Sequence, residues 1–303
     1  MNKWNIYQKE RFPLLGYLPL MATFGFSSIS FSLHLYNPYA RLSDISIAQA
    51  VAAIFTTLFW FMLMRIADEH KDFEEDSKFR PYRPVQRGLI TLKELRYIGV
   101  FIVLAQIVLS IWVGFNLYLL GLLAAVYVWL LLMTLEFCVP KWLKARPTLY
   151  LISHMLIMPF IDLYATALEW LPRGGVFTFG ILLYMISSLC DGTVVEVGRK
   201  LRAPENEEHG VDTYTHIWGP KHAMVVWMVC LTISGISTIV AGFQVRVGWH
   251  IFAVLSIIYV YAFYTAIRFA KNPTPQNAKI FKVLPGVWMI LMHTMLGFLP
   301  FFI

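Results

Sequence analysis

Charge is scarce in this chain. Of 303 residues, 14% are charged and 58% are hydrophobic. That balance excludes a soluble globular domain and leaves a polytopic membrane protein. Cysteine is nearly absent. Cys138, Cys190 and Cys230 lie within or at the ends of apolar runs, without metal-ligand spacing. This argues against a disulfide framework or a cysteine metal site and reads as small buried thiols. Linkers and low-complexity segments are missing too, so residues 1–303 read as a single integral membrane domain. The net charge of +7 is spread along loops beside acidic residues, a pattern that argues against a nucleic-acid partner.

What the chain has instead is long apolar runs. Nine are expected to cross the bilayer: 14–36, 45–66, 97–115, 117–139, 149–168, 176–190, 223–243, 249–269 and 283–303. The sixth is short unless its helix continues into the GTVVEV that follows. The first is too long for a signal-peptide core and contains Pro19, so it counts as a helix. With nine spans, all but Arg41, Arg173 and Arg246 of the 25 lysines and arginines fall on the side of the N-terminus. The positive-inside rule makes that side cytoplasmic and the C-terminus external. A compact chain without a transit-like extension is expected in a bacterial inner membrane.

Two loops are long, one after the second span and one after the sixth, and both open with carboxylates. The first reads DEHKDFEEDSKFRPYRP, Asp68 to Pro84. Asp68, Asp72 and Asp76 recur every fourth residue. On a continuous helix each step rotates the side chain by only roughly 40°, so the three carboxylates would share one face. Like charges so placed call for a cation, and hard oxygen ligands suit Mg2+, which also binds substrate phosphates. The bland alternative is a solvated acidic helix end, which Glu69, Glu74 and Glu75 fit. Arg80, Arg83 and Arg87 follow, with guanidinium forks that match phosphate oxygens. Acid followed by base at a membrane surface suggests a site for a lipid diphosphate.

At these residues the chain resembles the UbiA-type membrane prenyltransferase family. The family pattern Asn-x3-Asp-x3-Asp, then Arg-Pro-x-Arg-Pro, is matched by Asp72, Asp76, Arg80, Pro81, Arg83, Pro84 and the later Gly88, with Asp68 in place of the asparagine. The resemblance implies an all-α bundle of nine membrane helices around a central cavity, and a Mg2+-dependent transfer. The metal aspartates hold a prenyl diphosphate, the allylic carbon–oxygen bond breaks, and an acceptor, commonly aromatic, captures the carbocation. Metal and arginines neutralise the departing diphosphate. Aromatic walls stabilise the cation; Trp60, Phe61, Tyr127, Trp129 and Tyr184 are candidates, with packing or lipid contact as their ordinary reading.

The second family motif is degenerate. Asp191 fits its first carboxylate, but Val194 and Val195 stand where the second belongs. Glu196, Arg199 and Lys200 remain nearby, and Gly192 and Gly198 offer to loosen the helix so that Asp191 and Glu196 both point inward. The expected metal set is Asp68, Asp72, Asp76, Asp191 and Glu196. The expected diphosphate set is Arg80, Arg83, Arg87, Arg199, Lys200 and Lys144, the last matching a family lysine although its usual tyrosine is misplaced. Glu205, Glu207, Glu208 and Asp212 read as solvated loop charge. In the fifth span His154, Asp162 and Glu169 fall near one face. An ionisable group within a membrane is a functional candidate by default, which adds Asp162 to Asp72, Asp76 and Asp191 as catalytic candidates. Its alternative is a buried hydrogen bond to a neighbouring helix. The partners are then a prenyl diphosphate, an unidentified acceptor and membrane lipid. A terpene cyclase of the same superfamily, a divalent-cation transporter and a non-catalytic lipid binder are the competing functions. Prenyl length and oligomeric state are not encoded in any motif.

Overall fold

The structure, a computed structural model, describes residues 2–207 and 213–303. Its helices are α1 (Lys3–Arg11), α2 (Leu14–Tyr36), α3 (Ile47–Lys71), α4 (Phe73–Phe79), α5 (Leu92–Val113), α6 (Leu117–Thr134), α7 (Pro140–Lys144), α8 (Pro147–Met155), α9 (Ile157–Trp170), α10 (Phe179–Arg199), α11 (Tyr214–Gln244), α12 (Gly248–Lys271) and α13 (Pro275–Gly297). Among the described residues nine are long and apolar enough to cross a membrane, counting α8 and α9 as one. Their starts follow from capping chemistry. Ser46 with Gln49 and Thr91 with Glu94 form capping boxes at α3 and α5, and Asn116, Thr178, Thr213 and Thr274 cap α6, α10, α11 and α13.

Two boundaries differ from the apolar runs in ways that matter. The second span continues past Ile66 to Lys71, and the sixth continues through GTVVEV to Arg199. Hydropathy marks only the greasy part of a helix, and a charged residue does not break the backbone. Asp68 therefore stands on the last turn of α3, and Asp191 and Glu196 both stand on α10. The fifth span is broken at Leu156, because Pro159 cannot donate to the carbonyl of Met155.

The apolar stretch of α10 is 67% buried, against 17% for α5 and for α6. That puts α10 at the centre, between α9, α11 and α13, while α5 and α6 lie outside. The first helix of the bundle, α2, packs on α3, α9 and α13. Small residues bring it close, as in other membrane bundles. Ser27 Oγ donates to the His293 carbonyl at 2.7 Å, and Ser30 donates to the Gly297 carbonyl. Gly25 faces the backbone of Ala53 so closely that a Cβ would run into its carbonyl. The glycines of α10 serve the same purpose. Gly192 lies against Met158 and Gly198 against the Phe281 carbonyl, and the helix stays continuous through both. The expected loosening at Gly192 and Gly198 does not occur.

Gly25→Val should separate α2 from α3, at the ~1–3 kcal/mol typical of overpacking. A lowered thermal midpoint in detergent, exceeding that of Gly16→Val where a Cβ meets nothing, is the expected result.

Candidate active site

At the end of α3 the chain turns. Asp72 is the residue between α3 and α4, with φ −94° and ψ 9°. The expected single continuous helix is therefore divided at Asp72, although the backbone bonds from Asp72 N–H to the Asp68 carbonyl and from Asp76 N–H to the Asp72 carbonyl carry across the junction. Asp76 is carried into the protein and is fully buried. Its Oδ1 accepts from Arg80 Nη1 at 2.9 Å and its Oδ2 accepts from Arg83. The Arg-Pro-x-Arg-Pro segment thus folds back onto the last carboxylate of the motif. Asp68 is half exposed, with Arg65 at 3.6 Å. Asp72 is half-buried between Asp68 and Asp76. Burial and the neighbouring carboxylates push its carboxyl from 3.8 up to about 6. Glu69 is not solvated as expected: it is buried and paired with Arg11 of α1. Glu74 and Glu75 are exposed. Arg87 points away from the cluster, onto Glu10 of α1 at 2.8 Å.

The end of α10 meets the end of α3. Asp68 lies within electrostatic reach of Glu196 and Arg199. Glu196 is itself held by Arg199 and by Lys200 at 3.0 Å. From the third side comes the segment between α6 and α9. Glu136 lies 3.2 Å from Lys71 and 3.4 Å from Lys144. Lys71 also donates to Tyr150 Oη at 2.6 Å and to His154 Nε2 at 3.2 Å. His154 Nδ1 meets the Tyr150 carbonyl at 2.9 Å, so it carries the proton and leaves Nε2 to accept from the lysine. Sequence reasoning missed Lys71. Its position, three residues after Asp68 and one before Asp72, was the available signal, but a lysine at a helix end also fits the topology rule. Glu207, expected to be solvated, accepts hydrogen bonds from Thr213 and Thr215 at the start of α11. Glu205 is exposed, and Glu208 and Asp212 lie outside the described residues.

Asp191 belongs to a deeper level. It is buried, and Ser234 of α11 donates to its Oδ1 at 2.6 Å, itself receiving the indole N–H of Trp288 at 3.0 Å. Asp162 on α9 is fully buried and lies within electrostatic reach of Asp191. Among the described residues the oxygens of Asp162, the Oδ2 of Asp191 and the Ser188 hydroxyl make no well-aligned hydrogen bond, although Ser188 lies near enough to Asp162 to donate to it. The three ionisable groups of the fifth span are therefore separated. His154 joins the mouth, Asp162 the interior, and Glu169 the opposite end, where it binds Ser32 at 2.8 Å and Arg173 at 2.9 Å. Of the aromatic candidates, Trp60 is buried and tilted against the half-buried Tyr127 at 4.7 Å, and the buried Tyr184 stacks on Phe31 at 5.1 Å. Trp129 donates to the Ser153 carbonyl at 3.1 Å.

A divalent ion would be compatible with the donor set at the mouth. Among the described residues no three His, Cys, Asp or Glu side chains converge as a ready cage. Asp68 and Asp72 nevertheless offer carboxylate oxygens whose repulsion a cation would relieve, and one or two carboxylates plus phosphates and waters suffice for Mg2+. Asp76 is committed to its arginines, and Asp191 has a single free oxygen at a deeper level.

An all-helical membrane bundle with carboxylates and cations gathered at one end defines a class of integral membrane enzyme. The sequence profile of the UbiA prenyltransferase family matches residues 38–293. The chain belongs to that family. Among curated proteins none matches. Three solved structures share the fold. A digeranylgeranylglyceryl phosphate synthase structure is 16% identical, with a TM-score of 0.66 over 100% of both chains. An apo UbiA homologue from Aeropyrum pernix K1 is 12% identical, with a TM-score of 0.65 over 90% of this chain and 95% of that one. A Cd2+-bound UbiA homologue from Archaeoglobus fulgidus is 13% identical, with a TM-score of 0.55 over 94% and 98%.

The raised Asp72 value carries a signed consequence. Between pH 3.8 and about 6 the folded state holds this proton more tightly than the unfolded chain. The stability contribution of Asp72 therefore falls as pH rises through that window, and above it the ionised group is a standing penalty. Asp72→Asn should raise the thermal midpoint near neutral pH, with the gain shrinking toward pH 3.8.

Proposed function

We propose that this protein transfers an isoprenoid group from a prenyl diphosphate to an acceptor within the membrane, with Mg2+ held by Asp68 and Asp72. The observation that carries the reading is the meeting of α3 and α10, which gathers Asp68, Asp72, Lys71, Glu196, Arg199 and Lys200 at one end of an apolar bundle. When bound, Mg2+ would neutralise charge on the diphosphate. Arg199 and Lys200 bind its oxygens once they exchange the Glu196 carboxylate for it, and Lys144 approaches from the third side. Asp76 acts by holding Arg80 and Arg83 at the mouth, so that the guanidiniums need no reorganisation when charge develops on the leaving group.

The isoprenoid tail enters between the helices. Its allylic carbon lies inward of the diphosphate, toward Asp191 and Asp162, whose carboxyl oxygens offer lone pairs to a positive charge there. Trp60, Tyr127 and Tyr184 offer π-faces to the same charge. Low water content in the interior slows hydrolysis of the cation before the acceptor captures it. The excess of lysine and arginine at the mouth supports a cytoplasmic placement, with the C-terminus outside, in a bacterial inner membrane.

One observation favours a second reading. The oxygens of Asp162 and Asp191 that make no well-aligned hydrogen bond stand within the bundle, where a cation pathway would put its ligands. Passage of a divalent cation would then replace transfer, and uptake into proteoliposomes without prenyl substrate would reveal it.

Purified protein given Mg2+ and a range of prenyl diphosphates should release inorganic diphosphate. Asp72→Ala should lower that release by about 10²-fold or more. Product mass then distinguishes capture by an acceptor from cyclisation. Release unaffected by Asp72→Ala would remove the site from the reaction.

A further inference from the structure

Glu136 stands on an unusual stretch of backbone. It lies in a run of three consecutive non-glycine residues in the left-handed region: Glu136 at φ 48°, Phe137 at φ 55° and Cys138 at φ 60°. Such backbone is uncommon outside glycine and persists where the surroundings hold it. What it achieves is to insert a carboxylate, nearly buried, between two ammonium groups from different elements. Glu136 Oε1 lies 3.2 Å from Lys71 Nζ at the end of α3 and 3.4 Å from Lys144 Nζ at the end of α7. Among the described residues its ionic contacts are with these two ammonium groups, and Lys71 is near enough to donate to it. The carboxylate is close enough to neutralise both lysines.

We propose that Lys71 and Lys144 form a two-ammonium fork for diphosphate oxygens, and that Glu136 occupies this fork as an internal substitute which the diphosphate displaces. The proposal rests on the prenyl-diphosphate reading above and deepens it by adding Lys71 and Glu136 to the site. Three features support it. Tyr150 and His154 also hold the Lys71 ammonium, so the lysine keeps two partners when Glu136 leaves. Lys144 is 56% exposed, which opens the fork to an incoming ligand. The fork also adjoins the metal candidates, since Lys71 lies within electrostatic reach of both Asp68 and Asp72. A diphosphate brings more charge and more acceptor oxygens than one carboxylate, and ammonium groups bind phosphate as point charges without a fixed fork geometry. Release of Glu136 also lets residues 136–138 leave the left-handed region.

The test is calorimetric binding of inorganic diphosphate with Mg2+ to the full-length protein in detergent. Glu136→Gln, which keeps the shape and removes the charge, should bind about tenfold more tightly than wild type. Glu136→Asn should do the same, since asparagine tolerates the left-handed backbone, and thermal midpoints check that each variant is folded. Lys71→Met and Lys144→Met should each weaken binding about tenfold, and Lys71→Met should cancel the gain of Glu136→Gln in the double variant. Binding by both folded Glu136 variants that equals or falls below wild type would overturn the proposal, as would undiminished binding by Lys71→Met, or no diphosphate binding by any variant. Prenyl diphosphate release is measured on the same samples. Binding that follows the predicted pattern without release would keep the fork and remove the transferase reading. Release without the binding pattern would do the reverse.

Discussion

Ionised groups at the end of an apolar bundle must be compensated, and that constraint shapes this mouth. Asp76 takes Arg80 and Arg83, Glu69 takes Arg11, Glu196 takes Arg199 and Lys200, and Glu136 takes Lys71 and Lys144. The Glu196 pairings stay on the end of α10, whereas those of Glu69 and Glu136 tie separate segments together. Asp72 is the exception: Asp68, Asp76 and Glu75 are its carboxylate neighbours, and among the described residues it forms no ion pair. A group left in that state in an otherwise compensated cluster is where an added cation gains most.

Much of this was legible in the sequence because helices and motifs are local. Nine apolar runs became nine membrane helices, and the first motif marked the correct end of α3. What was not legible depended on chain direction after a helix break. A period of four residues predicts a shared face only if the helix continues, and the helix is divided at Asp72, with Asp76 buried against its arginines. Arg87 follows the motif and was expected at the diphosphate, but it is drawn to Glu10, far away in sequence. Glu69 looked like surface charge because its partner Arg11 lies on α1. Lys71 was concealed for a different reason, since a lysine at the end of a span has a sufficient explanation in the topology rule alone.

The interior separates into two levels, and the separation bears on function. The mouth is rich in paired charge and suits a mobile, highly charged ligand. The level of Asp162 and Asp191 is buried and, among the described residues, contains carboxyl oxygens without a well-aligned hydrogen bond, a costly arrangement inside a membrane that usually marks function. On the transferase reading the two levels meet the two ends of one substrate, the anionic diphosphate above and the electron-deficient carbon below. The degenerate second motif fits this division. With valines in place of its second carboxylate, α10 contributes Asp191 to the lower level and the cations beside Glu196 to the upper one.

The central claim is that the metal and diphosphate bind together at the mouth. Anomalous diffraction from crystals grown with Mn2+ and an unreactive thio-analogue of a prenyl diphosphate tests it most directly. The account predicts a metal peak beside Asp68 and Asp72, with the diphosphate within reach of Arg199 and Lys200. A metal bound between Asp162 and Asp191, with no diphosphate at the mouth, would contradict it and favour cation passage.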